Sequence, residues 1–272
     1  MSTLENKFAR LADLPTMPAL LTEAIQQINS KQNLTALVDK IGQDPSIAVR
    51  ILRIVNSPFY GMSREIGSLR EAIVLLGLNR IRDMLISICF SKIAPAQHKD
   101  FDYNRFWRHS MAVAESTRQL AHCAGTNPDL AFTAGLLHNI GHLVLAMLFP
   151  DEFSQLVRMS ANFGIEAEQQ LLGFDHMTLG GEAAQYWNLP VAIQEAIEQH
   201  ETTPAPDTDK SLGLLVYTAN LMSIKTEQSD ALILEGHDPI HSALAILNVS
   251  IDQAARCIHN GQQFADQILT LS

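Results

Sequence analysis

Ala134-Gly-Leu-Leu-His-Asn-Ile-Gly-His-Leu-Val144 places a histidine and a polar neighbour at the end of an apolar stretch, next to a glycine that permits tight approach of another segment. Apolar residues recur at helical spacing here and nearly everywhere else in the 272 residues. Sustained period-two alternation rich in Val, Ile and Thr is absent, so the pattern predicts an all-α fold.

Working outward, Pro and Gly mark the helix junctions. Downstream, helices are expected at about 105–124, 128–149, 151–163, 165–172, 176–188, 190–200, 211–226, 239–247 and 251–269. Upstream, Asp44-Pro45 reads as a cap followed by a first-turn proline, opening a helix to about Asn56. Ser57-Pro-Phe-Tyr-Gly61 and the residues to Ser68 read as an ordered loop, with helices resuming at about Leu69 and Leu78. The polar stretch from Ile93 to Asn104 marks a subdomain boundary, dividing one unit of residues 1–272 into 1–100 and 101–272. Glu201 to Asp209, with Pro204 and Pro206, is expected to form a surface loop.

Composition narrows the function classes. The apolar share is 47%, enough for a substantial core, and the formal charge of -10 repels phosphate backbones, so nucleic acid is not an expected partner. The first ten residues lack a signal-peptide core and the greasiest run, Leu143 to Phe149, is too short to span a bilayer. The expectation is a cytoplasmic protein without membrane contact. Cys89, Cys123 and Cys257 read as buried small hydrophobes in a reducing compartment, and Met111, Met147 and Met159 as core filling. Ser57, Ser110 and Ser160 have no nucleophile-elbow context, no glycine-rich phosphate loop is present, and Gly180-Gly181 reads as a site of close helix packing.

A histidine on an apolar helical face is ordinarily a hydrogen-bonded core residue. Three others accompany His138: His109 in Phe-Trp-Arg-His-Ser, His176 in Gly-Phe-Asp-His-Met, and His200 closing Ile-Gln-Glu-Ala-Ile-Glu-Gln-His. Each falls on a different expected helix or helix end, and imidazoles converging from several helices are how all-α proteins assemble a metal centre.

The order His109, His138-Asn139, His176, His200, Asn220 resembles the HD superfamily of metal-dependent phosphohydrolases and its HD-GYP branch. Leu14-Pro-Thr-Met-Pro18, Ile41-Gly-Gln-Asp-Pro-Ser46, Arg50-Ile-Leu-Arg-Ile-Val-Asn-Ser-Pro-Phe-Tyr-Gly61 and Ser68-Leu-Arg-Glu-Ala-Ile-Val-Leu-Leu-Gly-Leu-Asn-Arg-Ile-Arg82 are similar to successive hallmarks of the HDOD family, the HD-related output domain. The resemblance covers nearly the whole chain. It implies an N-terminal helical subdomain packed on an HD-like helical core, and a place in bacterial signal transduction.

The departures concern charge. Where the HD pattern carries two metal-holding Asp residues, this chain has Asn139 and, by its place in Tyr217-Thr-Ala-Asn-Leu, Asn220. An amide oxygen ligates weakly and adds no negative charge to hold two divalent cations together. His142 stands where the HD-GYP pattern has Lys, and Glu201 where it often has a second His, making Glu201 the one nearby carboxylate able to compensate.

These changes imply a degenerate site at His109, His138, Asn139, His176, His200 and Asn220 in a non-catalytic signalling protein. No cofactor is expected; a single Zn or Ni ion on the histidines is the alternative. A phosphohydrolase or phosphodiesterase with a histidine-rich site, and a nucleotide sensor without turnover, are the competing functions. Output would pass through signalling partners or a homodimer. Asn56, Phe59 and Tyr60 stand as a partner-docking loop, against the alternative that the aromatics tuck the loop onto the core.

Overall fold

The computed structural model describes residues 7–26, 41, 44–90, 98–160, 163–205, 209–228 and 238–270. Gly42 and Gln43 of the Ile41–Ser46 motif, residues 93–97 of the expected boundary and residues 206–208 of the expected loop lie outside the described residues. Among the described residues there are helices and no strands.

A 3-10 helix, Ala9–Asp13, is followed by α1 (Ala19–Gln26), α2 (Pro45–Val55), a 3-10 turn at Pro58–Tyr60, α3 (Leu69–Leu76) and α4 (Leu78–Phe90). Then come α5 (Tyr103–Ala124), α6 (Pro128–Leu137), α7 (Ile140–Leu148), α8 (Pro150–Met159), α9 (Ile165–Leu172) and α10 (His176–Tyr186). The chain continues with α11 (Val191–Gln199), α12 (Leu212–Gln228), α13 (Pro239–Leu247) and α14 (Ile251–Thr270). Caps explain several starts. Asp44 Oδ1 accepts from the amides of Ser46 (3.0 Å) and Ile47 (3.3 Å) with Pro45 behind it, and Asp175 Oδ1 accepts from the Thr178 amide at 2.8 Å.

The expected single helix over 128–149 is two helices, α6 and α7, broken at His138-Asn139. Neither Pro nor a positive-φ Gly interrupts it; the break comes from contacts with other helices, described below. The run from Pro128 to Leu148 is apolar and long enough to cross a membrane by length and composition, yet 78% of its apolar window is buried inside the molecule.

α1, α2 and α3 pack on α4, and α4 in turn packs on α6. The larger assembly is built on α5, which lies along α14, α6 and α12, while α10 lies against α7 and α11. Polar contacts join the first group to the second. Arg80 on α4 donates to both oxygens of the fully buried Glu115 on α5, at 2.8 and 3.3 Å. Arg118 Nε (2.9 Å) and Gln119 Nε2 (2.8 Å) complete the shell of that carboxylate. Asn79 Nδ2 donates to Asp129 Oδ2 at 2.6 Å, and the buried Arg82 lies between Asp83 (3.2 Å) and Asp129 (3.5 Å). Pro15 O, in the first quoted motif, accepts from Trp187 Nε1 at 3.1 Å.

The loop after α2 is closed from within. Asn56 donates through Nδ2 to Leu52 O (2.9 Å) and Ile66 O (3.0 Å) and accepts the Ile66 amide on Oδ1 (2.7 Å). Phe59 meets Phe264 of α14 edge-on at 5.2 Å, and Tyr60 lies 5.7 Å beneath the Arg80 guanidinium. Both aromatics are half-buried against the core, and burial pushes the Tyr60 phenol up. Two small readings are corrected. Cys123 is exposed where burial was expected, and Met159 is 57% exposed at the last turn of α8, a position with no core beneath it.

Candidate metal centre

Close helix approach assembles the centre. A Cβ on Gly141 would overlap the His176 carbonyl oxygen and lie 2.7 Å from its carbon, so only glycine lets α7 reach the start of α10. A Cβ on Gly180 would lie 2.8 Å from Ile197 Cγ2, and one on Gly181 would overlap the Glu198 side chain, so this pair packs α10 on α11 as expected. The consequence is convergence. Ring centroids stand 5.3 Å apart for His109 and His138, 5.0 Å for His138 and His200, 5.2 Å for His176 and His200, and His142 stacks on His176 at 3.9 Å.

Each of the four expected histidines has its Nδ1 tied to an oxygen. His138 Nδ1 lies 2.7 Å from Gly135 O, His200 Nδ1 2.7 Å from Ile197 O, His176 Nδ1 2.9 Å from Glu168 Oε2 and His109 Nδ1 3.1 Å from Glu227 Oε1. A ring nitrogen facing a carbonyl or carboxylate carries the proton there, which leaves Nε2 as the lone pair of a neutral His138 or His200; His109 is different, since its Nε2 also faces an oxygen, Asn220 Oδ1. The first of these bonds also occupies a last-turn carbonyl of α6.

The inner nitrogens lack partners of their own. His138 Nε2 and Asn139 Oδ1 are buried without a hydrogen-bond partner, and His176 Nε2 faces His200 Nε2 at 3.3 Å. Two lone pairs do not face each other at that distance unless a cation, proton or metal, lies between them. Burial, then the charge of His109, holds His138 well below the ordinary histidine range, and burial, then His138, does the same for His200. For His176 burial also favours the neutral ring, but the hydrogen bond and charge of Glu168 outweigh it and raise its pKa. A proton bridging the two rings therefore belongs on His176, which would donate it to His200.

Glu168 went unnamed in the sequence reading. It is fully buried, accepts from the His176 amide (2.7 Å) and Nδ1 on one oxygen and from His142 Nε2 (3.1 Å) on the other. Burial would raise its carboxyl pKa, yet the two imidazole hydrogen bonds hold it well below the carboxylate range. Its one signal is spacing: it precedes Leu172, also buried, by one turn on α9. Glu201 is placed as expected, its Oε1 3.8 Å from His176 Nε2 and 4.0 Å from His200 Nε2.

Asn220 is also brought in, but against His109, its Oδ1 2.8 Å from His109 Nε2. The centre thus has two sides. His176, His200 and Glu201 bring donor atoms within 4.8 Å of one another, a set whose chemistry suits one borderline ion, and the His138 ring, its Nε2 unpartnered, stands beside His200. A second ion would need anionic oxygen at Asn139 and Asn220, and both offer amides, the latter engaged with His109. The residues present therefore fit one ion at His176, His200 and Glu201; His142, Glu168 and His176 also lie close together, but there both Glu168 oxygens are committed to the two imidazoles.

The family model for the HDOD domain matches residues 14–203. An uncharacterised protein of Treponema pallidum (strain Nichols) is 27% identical over 258 residues; the match covers 91% of this chain and 48% of that protein, so this chain spans about half its length. A candidate phosphohydrolase of Shewanella amazonensis SB2B superposes with a TM-score of 0.77 at 24% identity, covering 96% of this chain and 97% of the other. A candidate signal transduction protein of Marinobacter aquaeolei VT8 does so at 0.72 and 24%, covering 99% of this chain and 60% of the other.

Proposed function

The chain belongs to the HDOD domain family, and from that premise we propose that it is a regulatory signal-transduction module whose histidine centre holds one divalent ion, Zn or Ni, without turning over a phosphoester. The observation that carries this reading is the contact of Asn220 Oδ1 with His109 Nε2 at 2.8 Å. It leaves neutral amides at both positions from which carboxylates would balance a second cation.

His138, His176 and His200 would hold the ion through Nε2, with Glu201 as the anionic ligand. A bound ion of this kind supplies fixed positive charge and cross-links the helices that carry its ligands. The chain's own groups set this up. Gly135 O and Ile197 O fix two tautomers, Glu168 orients the third ring, and the proton shared by His176 and His200 must leave as metal enters. Two acidic groups near the centre, the buried Glu168 and the more exposed Glu227, and the absence of Lys at His142 give phosphoryl oxygens little fixed cation to bind. Output would pass to a signalling partner or a second copy.

The test is elemental analysis of untagged protein, purified without chelator, beside His138→Leu and together with a panel of phosphomonoesters and phosphodiesters. About one equivalent of metal in the wild type only, with no turnover, is the expected result. Metal-dependent hydrolysis lost in His138→Leu would replace this reading with a phosphohydrolase.

A further inference from the structure

The centre uses none of the cysteines, and two of them lie together elsewhere. Cys123 is in the last turn of α5 and Cys257 in the second turn of α14, 134 residues apart in sequence, with their sulfurs 4.0 Å apart. α5 and α14 form the most extensive helix contact among the described residues, so this proximity is held by packing on both sides of the pair. Their surroundings differ. Cys123 is exposed, while Cys257 is buried at 4% exposure.

From this geometry we propose that Cys123 and Cys257 are a peroxide-oxidised thiol pair that closes reversibly into a disulfide clamping α14 onto α5. The exposed Cys123 sulfur attacks a peroxide oxygen; the O–O bond breaks, an S–O bond forms, and Cys123 becomes a sulfenic acid as the peroxide is reduced to water. The Cys257 sulfur then attacks the Cys123 sulfur. The S–O bond breaks, the S–S bond forms, and the departing hydroxide leaves as a second water with the Cys257 proton. The two thiols lose two electrons and the peroxide gains them.

The division of roles follows from the environment. Burial, then the neighbouring Cys123, pushes the Cys257 thiol up to about 12, with Arg256 opposing and Glu115 adding to the rise, so the buried Cys257 is the poorer nucleophile toward peroxide and the exposed Cys123 takes the first step. Cys123 also stands one residue before the C-terminal residue of α5, where Gly125 turns the chain at φ 73°, so the sulfurs can approach by small movements of a helix end. The pair lies about 21 Å along α5 from His109, so closure acts on the helix pair and not on the histidine ligands. α14 also carries Phe264, on which Phe59 rests, and the clamp would therefore hold the 58–60 turn in place.

The experiment treats the full-length protein with dilute hydrogen peroxide, alkylates it under denaturing conditions, and maps the peptides by mass spectrometry with and without prior dithiothreitol. The expected result is one intramolecular Cys123–Cys257 cross-link, lighter by two hydrogens than the reduced pair and released by dithiothreitol, with Cys89 still alkylated. The oxidised protein should also melt at a higher temperature than the reduced one, because the link closes a long loop. Cys257→Ser alters a buried site, so the deciding variant is the exposed Cys123→Ser, in which both the cross-link and the thermal shift should vanish. Three alkylated thiols after peroxide, or a Cys123–Cys123 dimer in place of the intramolecular link, would overturn the proposal.

Discussion

Two buried polar clusters share helix α5, about 9 Å apart along its axis, and they differ in how completely they are satisfied. Glu115 accepts from Arg80, Arg118 and Gln119 and, although burial alone would raise its carboxyl pKa, is held below the ordinary carboxylate range by those arginines. The histidine centre around His109 is different. It keeps a buried nitrogen on His138 and a buried oxygen on Asn139 without partners, and sets two imidazole nitrogens face to face. A polar network with every member paired serves the fold; one with inward lone pairs left over serves something that binds. The α4–α5 contact is an element of architecture, and the histidine centre is a set of unpartnered donors that the fold tolerates.

The strongest way to break that contrast is Glu115→Ala. Arg80 and Arg118, 17% and 15% exposed, would face one another with no counterion. Stripping one partner from a buried ion cluster costs about 3–5 kcal/mol, read as a lowered urea midpoint at unchanged slope. A loss under about 1 kcal/mol would put the seam on a level with surface ion pairs and dissolve the distinction.

The two clusters also differ in how far they could be read in the chain. α9 and α13 begin and end where spacing and punctuation put them, and the Asp44 cap and the Gly180-Gly181 packing hold. These are local patterns, set by period and by residues with fixed backbone demands. The break at His138-Asn139 is not local. It depends on Gly141 meeting the carbonyl of His176, thirty-five residues on, and no periodicity announces such a contact. Glu168 escaped for the same reason. On α9 it looks like one more acid in a polar run, and only the fold turns it toward His142 and His176. The Arg80–Glu115 seam is equally hidden, since a quoted motif supplies one partner and an unremarked residue of α5 the other. The histidines themselves were legible because few other residue types have so narrow a range of uses.

A second test sharpens the comparison inside the α4 seam, where pairing is uneven. Asp83 is buried with Oδ2 unpartnered, and burial, opposed by Arg82 and Arg80, pushes its carboxyl up to about 7 from an ordinary 3.8. The folded protein therefore retains a proton at Asp83 that the unfolded chain releases, and the native state binds more protons over this window. Stability must fall through this group as pH rises from about 4 to 7, and be level outside that range. Asp83→Asn, which copies the protonated form, removes that slope. The wild type minus variant difference should decline by an amount on the order of 3 kcal/mol between pH 4 and pH 8 in urea titrations. A flat difference would mean that Arg82 keeps Asp83 ionised and that the seam is as well satisfied there as at Glu115.

The smallest expected effect falls on the residue closest to function. In metal-free protein His138→Leu removes a buried nitrogen that has no partner and gives up one hydrogen bond, to Gly135 O. Losing the bond and losing the unsatisfied group pull in opposite directions, so stability should change by about 1 kcal/mol or less. Added zinc should then raise the melting temperature of the wild type and leave the variant unmoved, since a ligand stabilises only the state that holds it. The pair of results matters more than either alone. A side chain that the apo fold barely needs, yet without which the ion confers nothing, is placed for binding. A large apo destabilisation with no zinc-dependent shift in the wild type would instead put His138 with Glu115, among the groups that hold the helices together.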